Sequence, residues 1–384
     1  MDINEIVNKA NEIGIDVASK EALIADQQGT WVKKTMEALK ESKLTALTVP
    51  KANGGLGHGL LGLAKVCEQL GKYYSSAGLC FGMHCVGTAV IAAKATKWQQ
   101  QAYLEPIAEG KHLTTLALSE TGTGAHFYFP QTQLIAVTTD EFIINGTKSF
   151  VTNGGFADSY VVSTIGATSD AEQDQFSCTL VNHNLQGIEW GKEWDGLGMR
   201  GNSSRSLHLN DVHISGKHIL GEKGDQLWYV FNVVAPYFLM AMAGTYLGIA
   251  EAALNEAKTA LAKRTYAHNG GSLAQVPLLQ HRLGSLWATV ERTRRLIYHA
   301  AESGDQGDPG ALLSILSAKA EVGNCCVHVV NEVMTLTGGL GYQNNSYLGM
   351  LLRDARASHV MSPTTDILYT WIGRALLDQP ILSD

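Results

Sequence analysis

Clustered positive charge is the first thing this sequence lacks. Lys and Arg number 29 against 36 Asp and Glu, and no long basic run occurs. Phosphate neutralisation needs clustered cations, so nucleic acid is excluded as a partner. Six cysteines are present, Cys67, Cys80, Cys85, Cys178, Cys325 and Cys326, but none forms a C-x-x-C pair. That absence removes the zinc and redox-motif readings and leaves buried thiols in a reducing, cytoplasmic compartment. The N-terminal MDINEIVNKA lacks a basic segment followed by an apolar core, so no secretory signal is expected. There is no internal repeat and no low-complexity linker. Charged residues are sparse at 17% against 45% apolar, a balance too apolar for disorder. One stretch, residues 226–250, carries no charge and is long enough to span a bilayer. It contains Asn232, Pro236, Gly244 and Gly248, has no basic flank and runs into an amphipathic helix, so a buried helix is expected rather than a membrane span.

The 384 residues suffice for two or three domains, and three compositional zones divide them. Residues 1–112 read as helical, with apolar spacing over Asn4–Ile13, Glu21–Leu39, Leu60–Tyr73 and Trp98–Glu109. From 113 to 222 the period changes to two. Thr114–Leu118, Leu134–Thr138, Phe142–Ile144, Ser159–Ile165, Phe176–Val181 and Ser206–Leu209 read as strands, and Asn145-Gly146 as a two-residue hairpin turn. From 223 to 384 the helical period returns. The order is helical, antiparallel β barrel or sandwich, helical.

Two motifs lie in the β zone. The first ends a strand as Leu116-Ala117-Leu118-Ser119-Glu120-Thr121-Gly122-Thr123-Gly124-Ala125-His126. A glycine-rich turn after a strand lets backbone N–H groups approach an anionic or electron-rich ligand. The second is Phe150-Val151-Thr152-Asn153-Gly154. A third segment, WDGLGMRGNSSRSLHLNDVHI, closes the zone. Together they resemble the acyl-CoA dehydrogenase family, whose signatures read A-x-T-E-x-x-G-x-G-S-D and W-I-T-N-G. The resemblance runs over essentially the full length. It continues with Arg264 in KRTYAH, Gln280, the turn from Thr335 through Leu336, Gly338, Gly339 and Gly341 to Tyr342, and Leu352-Arg353-Asp354-Ala355-Arg356.

The resemblance implies an α+β fold with an N-terminal helical domain, a central antiparallel β barrel or sandwich and a C-terminal four-helix bundle. It implies FAD as the cofactor. Leu116, Leu118, Ser119, Gly124, Ala125, Phe150, Val151 and Thr152 would meet the flavin from the β domain. Arg264, Gln280, Thr335, Leu336, Gly338 and Gly339 would meet the FAD of a neighbouring subunit, Arg264 through the diphosphate, in a homo-oligomer that is a tetramer or a dimer. Thr364 and Asp366 are further cofactor contacts; Asp366 also stands in a first helical turn begun by Ser362-Pro363, where a carboxylate stabilises the helix end. Tyr237, Phe238 and Leu239 are the expected substrate-pocket residues.

The match fails on the substrate side. The family's usual base is a glutamate in Y-E-G-T, and the aligned segment here is Met361-Ser362-Pro363-Thr364. A serine hydroxyl cannot act as a base without a base of its own. The stretch at Tyr237–Met240, where other members carry the glutamate, has no carboxylate, and Leu239 stands where the family usually has an arginine. Ala125-His126 replaces Ser-Asp. Ser362 and His84 are therefore the catalytic candidates, with His359 a weaker third. His84 has the alternative of a packed helix histidine.

Three functions fit. The first is α,β-dehydrogenation of an acyl thioester, on CoA or a carrier protein, with a non-standard base and electron-transfer flavoprotein or oxygen as acceptor. The second is a flavin-dependent monooxygenase or oxidase on the same fold, acting on a small non-CoA substrate. The third is a homologue that keeps FAD without catalysis.

Overall fold

The computed structural model describes residues 1–124, 126–166 and 176–382. The N-terminal part holds α1 (Ile3–Ile13), α2 (Ser19–Gln28), α3 (Lys33–Glu41), α4 (Leu60–Tyr73), α5 (Ser75–Ala93) and the short α6 (Lys97–Gln99) and α7 (Glu105–Ala108). Asp2 starts α1 with a capping box, accepting from the N–H groups of Asn4 and Glu5. The single helix expected over Glu21–Leu39 is two. Gly29 ends α2 in a left-handed conformation at φ 66°, and Trp31 in the break stacks on Phe156 at 4.4 Å. Helix α5 was not delimited by periodicity because it has no polar face: all but its last two residues are buried.

The middle part is one eight-stranded sheet: β1 (Thr114–Ala117), β2 (Gln133–Ala136), β3 (Glu141–Val151), β4 (Ser159–Gly166), β5 (Phe176–Asn182), β6 (Ile188–Trp190), β7 (Arg205–Ser215) and β8 (Ile219–Leu220). The order is β6-β7-β3-β2-β4-β5-β8, with β1 also on β4. Most pairs are antiparallel, but β1 and β2 both run parallel to β4. Asn145-Gly146 is not the expected hairpin turn. The chain passes straight through it inside β3, and the β2–β3 reversal lies at 137–140. The two residues form a bulge against β7. There the Asn145 amide donates to Asp211 Oδ1 at 2.8 Å, and the Asp211 N–H donates back to Asn145 Oδ1 at 2.7 Å. Gly146 is required by space, since a Cβ there would lie 2.5 Å from Thr132 Oγ1.

The C-terminal part holds α8 (Gln226–Tyr229), α9 (Ala235–Lys263), α10 (Pro277–Gln306), α11 (Ala311–Thr337), α12 (Tyr347–Val360) and α13 (Thr365–Leu376). Helix α9 is central to the molecule, packed on α4 and α5 and on α10, α11 and α12. Its glycines set that approach. A Cβ on Gly244 would lie 2.1 Å from the Ala64 carbonyl oxygen, and one on Gly248 2.4 Å from that of Glu68. Arg294 ties α10 to α4 through Glu68 (2.9 Å) and to α9 through Glu251 (2.7 Å). The segments Ser75–Ala93 and Gln226–Lys263 are long and apolar enough to cross a membrane, and their most apolar windows are 89% and 83% buried within the protein. Their apolar surface is thus used in the core. The start of α13 differs from expectation: Thr364, not Ser362, is the capping residue, its hydroxyl accepting from the Ile367 N–H at 3.5 Å.

Candidate active site

A cavity of about 700 Å³ opens where the three parts meet. One wall is the end of β1 and the turn that follows, with Leu116, Leu118, Ser119 and Gly124. Gly122 and Gly124 have φ of 93° and 53°, and a Cβ on Gly124 would meet nothing within 4 Å, so this turn presents bare backbone to open space. The next wall is the end of β3, with Phe150 and Thr152. Phe150 has φ 54° and remains 67% exposed, its ring edge-on to Trp194 at 6.2 Å. Asn153 explains how the strand end is held: its amide donates to the Cys80 carbonyl at 2.9 Å and accepts from Trp31 Nε1 at 2.9 Å. Phe238 with Val234 and Ala235, Leu79 and Met83 of α5, and the Met361-Ser362-Pro363 segment complete the lining.

Several expected residues lie elsewhere. Val151 belongs to β3 but points into the core between its two cavity-lining neighbours, as the strand's two-residue period requires. Of Tyr237, Phe238 and Leu239, only Phe238 reaches the cavity, because successive helix residues point about 100° apart; Leu239 is fully buried in the core. His84 is not at the cavity either. It is wholly buried, Nδ1 accepting from the Thr114 N–H at 3.1 Å and Nε2 donating to the Thr45 carbonyl at 2.9 Å. Burial pushes its pKa down to about 4, so it is a neutral brace between β1 and the N-terminal helices. His359, partly buried, meets Asn324 of α11 at 3.1 Å and does not line the cavity. Thr364 and Asp366 begin α13 beyond the lining segment, and Ala125 lies outside the described residues.

Arg264, Gln280, Thr335, Leu336, Gly338 and Gly339 form a second group away from this cavity. Arg264 Nη1 donates to the Thr337 carbonyl at 2.9 Å. The Gln280 amide donates to Ala274 at 2.8 Å, beside the Leu273 N–H that returns to Arg264 O at 3.0 Å. Thr335 and Leu336 are the last turn of α11, and Gly338 and Gly339 follow it. Leu340 and Tyr342 next to them are large, apolar and mostly exposed.

The carboxylate of the cavity is already committed. Glu120 is its one carboxylate among the described lining residues. Its oxygens accept from the N–H groups of Gln131 (2.7 Å) and Thr132 (3.1 Å), from the Thr132 hydroxyl (2.8 Å) and from Lys148 Nζ (2.5 Å). Burial alone would raise the Glu120 carboxyl, but the Lys148 ammonium and the hydrogen bonds from Thr132 and Gln131 together outweigh it and hold the group below the usual range. Lys148, fully buried, also donates to Ser163 O and Oγ at 2.6 and 2.9 Å. The pair fixes the turn and is not free to take a proton. Ser362 Oγ makes no hydrogen bond to a described residue.

Sequence reading quoted Arg353 and Arg356 only as part of the family match and did not place this face of α12 at the site. Arg353, Arg356, Ala357 and Val360 line the cavity at helical spacing. Arg353 is paired with Asp26 and also donates to the Leu197 carbonyl at 2.9 Å. Asp354, on the buried side, accepts from the Ser75 hydroxyl and from the Met199 N–H at 2.6 Å. Burial raises it to about 6. Gly198 permits this approach, since a Cβ there would lie 2.6 Å from the Arg353 carbonyl. The i, i+3, i+4, i+7 pattern from Arg353 was the signal available.

Residues 4–111, 115–212 and 236–377 match the models of the N-terminal, middle and C-terminal domains of acyl-CoA dehydrogenase. The chain belongs to the acyl-CoA dehydrogenase family. Cyclohex-1-ene-1-carbonyl-CoA dehydrogenase of Geobacter metallireducens is 28% identical over 94% of this chain and 95% of its own. An acyl-CoA dehydrogenase of Bacillus subtilis is 27% identical over 94% and 95%. The structure of butyryl-CoA dehydrogenase from Megasphaera elsdenii superposes with a TM-score of 0.91 at 25% identity, covering 98% of both chains. Acyl-CoA dehydrogenases are FAD-dependent oxidoreductases acting on CH–CH groups, and FAD is the cofactor of this chain. The cavity fits it: an exposed aromatic beside an apolar wall suits the ring system, and the open glycine turn suits its polar edge.

Proposed function

We propose that this family member removes two hydrogens from adjacent carbons of an acyl thioester, borne on CoA or on a carrier protein. The observation that carries the reading is the meeting of both flavin-signature segments on one apolar cavity, faced by Phe238 and the Met361-Ser362-Pro363 wall. FAD supplies a two-electron acceptor for the departing hydride. The protein's part is to orient the thioester between these walls and to exclude water with Leu79, Met83 and Phe238. Among the described residues the α-proton has no positioned carboxylate to receive it, since Glu120 is held by Lys148. The substrate must therefore carry an α-hydrogen more acidic than that of a straight saturated chain, or forgo the roughly 10²–10⁴-fold that a positioned base contributes. Electrons leave to an electron-transfer flavoprotein or to oxygen. The placement of Arg264, Gln280 and Gly339 away from their own chain's cavity, beside exposed Leu340 and Tyr342, supports a homo-oligomer in which they complete a neighbour's FAD site.

The committed carboxylate also favours a second reading. An oxidase or monooxygenase acting on a small non-CoA substrate needs no α-proton base. Anaerobic mixing with a panel of acyl-CoAs separates the two. Bleaching of the flavin absorbance supports dehydrogenation. No bleaching by any thioester, with oxygen uptake once the flavin is reduced, supports the second. Creation of bleaching by Ser362→Glu where wild type has none locates the missing base; ready bleaching of wild type by a straight-chain acyl-CoA refutes the account of the proton.

A further inference from the structure

Lys319 lies in no motif and at no ligand-facing surface. It stands on α11 with its ammonium fully buried, and no described carboxylate pairs with it. An ammonium has three donors. They reach the carbonyl oxygens of Ser358 at 2.9 Å, Met361 at 3.3 Å and Pro363 at 2.8 Å. A charge taken from water without a counter-ion is retained only where oriented dipoles replace the solvent. The C-terminus of α12 is such a place: its last carbonyls lack intrahelical partners and carry the negative end of the helix dipole.

The three acceptors bracket one residue. Positions 358, 361 and 363 flank Ser362, and Met361, Ser362 and Pro363 all line the cavity. Met361 is held from its other side too, its sulfur accepting from the Tyr246 hydroxyl at 3.7 Å. Among the described residues no other side chain donates to the backbone of this segment. We propose that Lys319 is the positioning residue of the active-site wall. Its ammonium ties the end of α12 to the start of α13 and so sets where the residue at position 362 stands relative to the substrate. This rests on the cavity as the reaction site, but not on which substrate enters it.

The test is backbone hydrogen exchange on the full-length, FAD-loaded protein, comparing wild type with Lys319→Met and Lys319→Arg. In Lys319→Met, the amides of residues 358–362 and 364 are expected to exchange at least about tenfold faster, since a hydrogen bond to a charged group outweighs that factor. Amides of β3 and β4 stay within about twofold. Lys319→Arg, which keeps charge and donors, recovers most of the protection. With any thioester that bleaches the wild-type flavin, Lys319→Met lowers the bleaching rate at saturation about tenfold while half-saturation moves little. Unchanged exchange at 358–364, or a rise shared equally by the whole chain, overturns the proposal. If Lys319→Met does not fold, Lys319→Gln carries the comparison, with about threefold faster exchange expected and equality with wild type refuting it. If no thioester bleaches the flavin, the dehydrogenase reading falls and the exchange result still decides this one.

Discussion

Replacing His84 by alanine separates a structural histidine from a catalytic one. The substitution leaves the Thr114 N–H and the Thr45 carbonyl buried without partners, each costing about 1–3 kcal/mol, and adds the lost packing of the ring. A loss of about 3–6 kcal/mol is expected at pH 7, measured as the first cooperative transition of the FAD-loaded protein in urea. The pH dependence sharpens this. His84 stays neutral in the fold down to about pH 4, whereas the unfolded imidazole takes a proton below about 6.5. The unfolded state binds more protons across this window, so stability falls as the pH drops from 6.5 towards 4. The difference between wild type and His84→Ala should therefore shrink by about 3 kcal/mol over that range, from a shift of about 2.5 units at 1.36 kcal/mol each. His112, also lowered to about 4, and Asp354, raised to about 6, titrate in the same window and are subtracted by the comparison. If His84→Ala instead unfolds like wild type but loses flavin reduction, the brace reading is wrong and His84 acts in the chemistry.

Three further outcomes follow from the site. Lys148→Met strands the Glu120 carboxylate in the interior, which should cost about 3–5 kcal/mol in urea unfolding and shed FAD on gel filtration; Lys148→Met with Glu120→Gln should recover most of it, and strict additivity of the two losses would refute the pairing. Phe150→Gly relieves a left-handed phenylalanine and removes an exposed ring, so the apoprotein should gain about 1 kcal/mol in a thermal scan while FAD binds more weakly in a fluorescence titration. Equal FAD affinity would show that the ring does not wall the cofactor. Asp354→Ala leaves the Met199 N–H and the Ser75 hydroxyl unpaired and should cost about 2–4 kcal/mol, detected as faster proteolysis at 194–199; an unchanged cleavage pattern would contradict its anchoring role.

What could be read from the sequence was governed by burial. Amphipathic helices such as α4 and half-buried strands such as β3 showed their periods, so the helix–sheet–helix order was legible, as were the two motifs of the β zone. Helix α5 was hidden because a helix buried on every side has no period to read. Asn145-Gly146 carried the local chemistry of a turn, but its space beside Thr132 and its bond to Asp211 come from distant strands and made it a bulge. His84 and Lys319 show the harder limit. A histidine and a lysine inside apolar runs are ambiguous until the carbonyls that receive them are seen, and those carbonyls lie 39 to 44 residues away. Of the triplet Tyr237–Leu239 only Phe238 lines the cavity, because successive helix residues point about 100° apart.

The Asp354 carboxylate has a consequence for modularity. One side chain of the C-terminal helices holds a serine of the N-terminal helices and the backbone of the β part, at the edge of the cavity. A chimera exchanging one segment with a relative must therefore match the Ser75, Met199 and Asp354 geometry in both parents. Shuffling these segments tests a single three-way joint rather than three independent modules, and swaps that ignore it should yield folded parts around a misassembled site.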